Sequence, residues 1–172
     1  MKRRDLFKAA AMTAAGVALG RLSDINTTFA KEVTKMTKEQ FSTVFPTGPK
    51  NDAYAQYFVG QSYLNMLSLD QVVIGNVTFE PGCRNNWHIH HADKGGGQIL
   101  LVTGGRGYYQ EWGKPARELH PGDVVNIPAG VKHWHGAAPT SWFAHLAIEV
   151  PGENTKSEWC EPVDAEEYNK LK

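Results

Sequence analysis

The chain has 172 residues, with 18 lysines and arginines against 18 aspartates and glutamates, and 41% of it is hydrophobic, which fits one globular domain. Charges of both signs are interspersed and no basic run stands out, which excludes the electrostatic footprint of a nucleic-acid-binding surface.

The first thirty residues stand apart from the rest. "MKRRDLFK" is a basic segment with Arg3 and Arg4 adjacent and Leu6 and Phe7 behind them. "AAAMTAAGVALG" is a short, mildly apolar run, and "TTFA" ends in small residues before Lys31. This three-part layout predicts an export signal over residues 1–30, in which the apolar run is too short to span a bilayer stably. The paired arginines resemble a twin-arginine signal, so the expected location is the periplasm or another exported compartment, with no membrane contact after cleavage. Cleavage after Ala30 leaves about 142 residues, enough to bury roughly two thirds of the unfolded surface. Only Cys83 and Cys160 are present, far apart in the sequence, and two unpaired thiols are expected.

Residues 31–70 read as a polar, irregular N-terminal arm, with one short helix around "TKEQFSTVF" that ends before Pro46 and a loop at "TGPKNDAYA". From Val72 the texture changes to short apolar runs punctuated by Pro-Gly, Gly-Gly and Gly-Asp. "QVVIGNVTFE", "NNWHIH", "QILLVTG", "GRGYYQEWG", "DVVNIPA", "KHWHGAA" and "WFAHLAIEV" are the expected strands of an all-β sandwich or barrel over residues 71–152. Residues 153–172 form a C-terminal extension, extended at first and ending in a short helix begun near Asp164.

His88 and His90 lie two apart in an expected strand, so both side chains leave the same face and can share one ion. His133 follows the turn "PAG" in a later strand and is a candidate third ligand. Three neutral imidazoles bind zinc, iron, manganese, nickel or copper without selecting among them. His91 points opposite to its neighbours, His120 precedes Pro121 in a turn, and His135 shares a face with His133. In "SWFAHLAIEV", Phe143, His145, Ala147 and Glu149 share one face, while Ala144, Leu146 and Ile148 share an apolar one that suits packing against a sheet or a second subunit.

Two segments carry a resemblance. "PGCRNNWHIHHADKGGGQILLVTGG" resembles the first cupin motif through Gly82, His88, His90 and Gly105. "GDVVNIPAGVKHWHGA" resembles the second through Gly122, Pro128, Gly130 and His133, with Ala137 where asparagine is usual. The resemblance implies a single cupin antiparallel β-barrel or jelly roll, with short helical segments at the mature N- and C-termini and a divalent metal inside the open end. The family's carboxylate would fall at Lys94 or Gly95, neither of which can ligate, so Asp93 and Gln98 are the candidates. Strand parity favours Gln98, which shares a face with Leu100 and Val102, whereas Asp93 precedes glycines in an expected solvated loop. A glycine-rich loop absorbs about three extra residues at little cost, because loop entropy grows only logarithmically.

Over a longer span, roughly residues 75–168, the chain is similar to small manganese-dependent bacterial cupins with hydroxynitrile lyase activity. That similarity implies manganese, with iron, zinc, nickel or copper as alternatives, held by His88, His90, Gln98 and His133, and His145 as the catalytic base. Glu149 stands where those relatives carry glutamine, and a carboxylate there could raise the basicity of His145 or act as a base itself. The implied activity is carbon–carbon cleavage of a small hydroxylated compound, with a cupin dioxygenase or a non-catalytic ligand-binding cupin as alternatives. Cupins of this size commonly form homodimers or homotetramers.

Overall fold

A computed structural model describes residues 36–172. The expected export signal and the start of the arm lie outside the described residues. In chain order, a 3-10 helix at Asp52–Tyr57 leads into β1 (Phe58–Val59), β2 (Ser62–Ser68), β3 (Ile74–Phe79), β4 (Arg84–Asn85) and β5 (His88–His91). Then follow β6 (Lys94–Gly95), β7 (Gln98–Gly105), β8 (Gly107–Glu111), β9 (Arg117–Leu119) and β10 (Val124–Ile127). The chain closes with β11 (Lys132–Ala137), β12 (Phe143–Glu149), β13 (Gly152–Glu153), β14 (Lys156–Trp159) and the helix α1 (Ala165–Asn169). Among the described residues no helix is long and apolar enough to cross a membrane.

Two antiparallel sheets make the barrel. One runs β10-β7-β12-β3-β2; the other runs β1-β4-β11-β5-β14, with β8 on the other edge of β11 and β9 beyond it. The all-β expectation is met, and each of the seven expected strand segments contains a strand. Alternation explains the layering: along β7 the even positions from Gln98 to Gly104 are buried and the odd ones half-buried. The inward faces meet in a core of Val77, Phe79, Leu100, Val102, Tyr109, Val125, Ile127 and Phe143.

Two differences from the sequence reading concern the N-terminal arm. The expected helix over "TKEQFSTVF" is a single turn in which Thr37 O accepts from the backbone N–H groups of Gln40 and Phe41. Tertiary packing overrides the weak local preference: Phe41 stacks on Trp142 with ring centroids 5.4 Å apart, and Trp142 Nε1 donates to Met36 O at 2.8 Å. The arm also contains β2, which pairs with β3 from Ser62↔Phe79 to Ser68↔Ile74. Its polar spelling "SYLNMLS" hides a strand at a sheet edge, where only part of each face is buried.

The short helix expected near Asp164 is present. β14 adds to β5, and Asp164 caps α1 by accepting from Glu167 N at 2.9 Å. Tyr168 on that helix donates from its hydroxyl to Ala137 O at 2.7 Å and joins a second apolar cluster with Trp87, Tyr108 and Trp134. Cys83 and Cys160 are both free thiols.

Candidate metal centre

The register of β5 sets the centre. His88 is paired across the sheet with His133 of β11 on one side and with Trp159 of β14 on the other. The rings of His88 and His133 lie 4.1 Å apart by centroid, and one nitrogen from each of His88, His90 and His133 falls within 4.8 Å of the others. All three are buried, and together they form a group able to hold a metal ion.

Hydrogen bonds identify the nitrogen each ring offers. Nδ1 of His88 is 3.0 Å from Asn86 O, and Nδ1 of His133 is 2.9 Å from Val131 O. Nδ1 of His90 is 3.1 Å from Glu149 Oε2, with Ser157 Oγ at 3.3 Å. A carbonyl or carboxylate oxygen can only accept, so in each ring Nδ1 carries the hydrogen and Nε2 keeps a lone pair. The Nε2 atoms of His90 and His133 are buried with no hydrogen-bond partner in the protein. Buried polar atoms are almost always satisfied, so these orphans fit a missing ligand. Burial also lowers the pKa of His88, helped by the neighbouring His133 and His90, and lowers that of His133 to about 4. Metal binding needs this neutral form.

Gln98 and Asp93 part company. Gln98 is 5% exposed; its Nε2 donates to Glu149 Oε1 at 2.9 Å, and its Oε1 is a buried acceptor with no partner. That carbonyl oxygen has the chemistry of a fourth ligand. Asp93 is exposed, and its Oδ2 accepts from Asn154 Nδ2 at 2.6 Å. Between them, Gly95, Gly96 and Gly97 all adopt positive φ, at 64°, 70° and 89°. This left-handed run pins the inserted loop against the 150–154 segment, where Gly96 N donates to Pro151 O and β6 pairs with β13. A Cβ on Gly97 would stand 2.2 Å from Ile127 O, so the residue before Gln98 has no room for a side chain.

The centre opens into a cavity of about 480 Å³. One wall carries His88, His90, Gln98, His135 and Glu149; Phe58, Leu64, Met66, Val77 and Trp159 make an apolar wall. His145 is fully buried and stands behind this lining, with Nε2 3.0 Å from Nδ1 of His135, which does line the cavity. Asn85 holds the His135 ring in place. Its Oδ1 accepts from His135 N at 2.9 Å, and its Nδ2 lies 3.1 Å from His135 Nε2 and 3.3 Å from His135 Nδ1. The two imidazoles share one hydrogen bond across their 3.0 Å contact. Burial lowers the pKa of both rings, that of His145 to about 4. Glu149 is half-buried. Burial works to raise its pKa, and the hydrogen bonds from His90 and Gln98 outweigh it and hold the carboxyl below its ordinary range. The expectation that Glu149 would raise the basicity of His145 has no support in these contacts, because its two oxygens are engaged by His90 and Gln98.

Parity missed Asn85 for a definable reason. His133↔His88 and Gly136↔Arg84 are both in register, so a span of three steps on β11 faces four on the other side. The extra residue is a bulge that turns Asn85 inward, onto His135. Trp159 carried no local signal at all.

Comparison with known proteins agrees with this architecture. The family described as Cupin domain matches residues 75–146. Over 95 residues the chain is 47% identical to an (R)-mandelonitrile lyase of Granulicella tundricola, covering 55% of this chain and 70% of that one. The chain belongs to the cupin family. Among solved structures, a cupin-like protein of Thermotoga maritima is similar to this cupin with a TM-score of 0.65 at 41% identity, over 76% of this chain and 97% of that one. A double-stranded β-helix protein of Klebsiella pneumoniae, at 20% identity and a TM-score of 0.50 over 62% of this cupin and 93% of that chain, is alike in fold alone.

Proposed function

We propose that this cupin is a metal-dependent lyase that cleaves an aromatic cyanohydrin or a closely related small hydroxylated compound. The observation that carries the reading is the set of unpartnered buried acceptors, His90 Nε2 and Gln98 Oε1 at a cavity whose other wall is apolar and aromatic, with His133 Nε2 grouped beside His90. The name of the relative from Granulicella tundricola supports the substrate class. A divalent ion held by His88, His90, His133 and Gln98 would supply Lewis acidity toward a hydroxyl oxygen or a departing anion. Manganese is the metal we favour.

The chain's own residues do the rest. The cavity is large enough for a compound of about ten heavy atoms. Trp159, stacked on Tyr57 at 4.5 Å between ring centroids, offers a fixed aromatic surface beside His88. The His135–His145 pair serves as the base. Burial keeps both rings unprotonated at neutral pH, the form that accepts a proton. With its Nδ1 proton directed at His145 Nε2, His135 takes the hydroxyl proton at Nε2, where the hydroxyl replaces the Asn85 Nδ2 contact, and passes the Nδ1 proton to His145. The carbonyl forms as the bond to the nitrile carbon breaks, and the proton returns to the leaving cyanide, giving aldehyde and hydrogen cyanide.

Cyanide release from mandelonitrile tests the reaction. The wild-type protein loaded with manganese should release cyanide well above a His88→Ala control, and equal rates in the two would reject the lyase. Oxygen uptake with phenolic compounds in place of cyanide release would identify a dioxygenase instead.

A further inference from the structure

Glu149 sits at the junction of two candidate ligands without joining them. Its Oε1 accepts from Gln98 Nε2 at 2.9 Å and its Oε2 lies 3.1 Å from His90 Nδ1, so both oxygens are spent on groups that face away from the histidine cluster. The backbone enforces this placement, since Glu149 and Gln98 are cross-strand partners on β12 and β7. The carboxylate is not among the atoms that converge with His88, His90 and His133.

Resting on the metal-centre reading above, we propose that Glu149 is a positioning residue that sets which atom of Gln98 and which nitrogen of His90 the centre receives. A side-chain amide has two ends of nearly equal size, and only one of them can ligate a cation. Glu149 binds the NH2 end of Gln98, so the carbonyl end is the one left free. An imidazole likewise has two tautomers, and a carboxylate at Nδ1 selects the one with its lone pair on Nε2. A leucine at position 149 would fill a similar volume and offer no acceptor to either group, whereas a glutamine would keep one acceptor of the two. Glu149 also brings a negative charge next to a ligand set that is otherwise neutral, so the charge of a bound dication is partly offset here.

Mn2+ binding by titration calorimetry, with no substrate present, tests this. Loss of an outer partner of a metal ligand typically weakens binding about 10–100-fold, and Glu149→Leu should show a loss in that range while the metal-free protein keeps the circular dichroism of wild type. Glu149→Gln keeps one acceptor and should lose less affinity than Glu149→Leu. If Glu149→Leu binds Mn2+ as tightly as wild type, or Glu149→Gln binds as weakly as Glu149→Leu, Glu149 does not position the ligands. A folded wild-type protein that binds no Mn2+ is a different result: it rejects the metal centre itself, and this inference with it.

Discussion

His88 and His133 face each other directly across β5 and β11, with ring centroids 4.1 Å apart and each Nδ1 tied to a backbone carbonyl two residues back, just before its own strand. The two rings are therefore oriented by the strand pairing and by the backbone leading into each strand, and the metal would meet a preformed pair.

Removing one of that pair should be severe for binding and mild for the fold. In His133→Ala, Mn2+ affinity should fall beyond the roughly 100-fold that marks loss of an outer partner. Circular dichroism of the variant should match that of wild type. Retained affinity would mean that the ion sits elsewhere.

Asp93 should behave as a surface residue. It is exposed and holds only Asn154 and the Glu153 backbone. Asp93→Ala should shift stability by no more than about 0.5 kcal/mol and leave Mn2+ affinity unchanged, whereas Gln98→Ala should weaken binding. The opposite ranking in a titration would make Asp93 the ligand.

Gly97→Ala should act on both stability and the site. With φ at 89° and Ile127 O where a Cβ would go, alanine forces the backbone to move. We expect a cost of about 1–3 kcal/mol, read as a lower thermal midpoint. Mn2+ affinity should weaken with it, because the displaced residue carries Gln98. A variant that melts with wild type would show that the loop relaxes freely.

The parts of this molecule legible in the sequence were those written in local periodicity. The face shared by His88 and His90, the inward position of Gln98 and the face shared by His145 and Glu149 all follow from a period of two. What stayed hidden depends on pairing between distant segments. Trp159 reaches His88 only because β14 adds to the edge of β5, and Asn85 turns inward only because a bulge breaks parity between Arg84 and His88. The helix over "TKEQFSTVF" is replaced by a single turn for the same kind of reason, since Phe41 stacks on Trp142, a residue about a hundred positions away. Similarity to known lyases pointed to His145, yet nothing in sequence could show that another histidine stands between it and the cavity.

That intervening position sets the last expectation. His145 has no exposure and contacts His135 at 3.0 Å, so its effect on a substrate must pass through that ring. His145→Ala should leave Mn2+ affinity within about twofold of wild type, since the ring touches none of the proposed ligands, while a positioned base is worth about 10²–10⁴ in rate. Turnover of mandelonitrile should therefore drop by a factor in that range. His135→Ala should cost a similar factor, and the double variant little more than either alone, because residues that act as one unit are not additive. Fully additive losses would mean that the two histidines work separately, and unchanged turnover in His145→Ala would remove that residue from the mechanism.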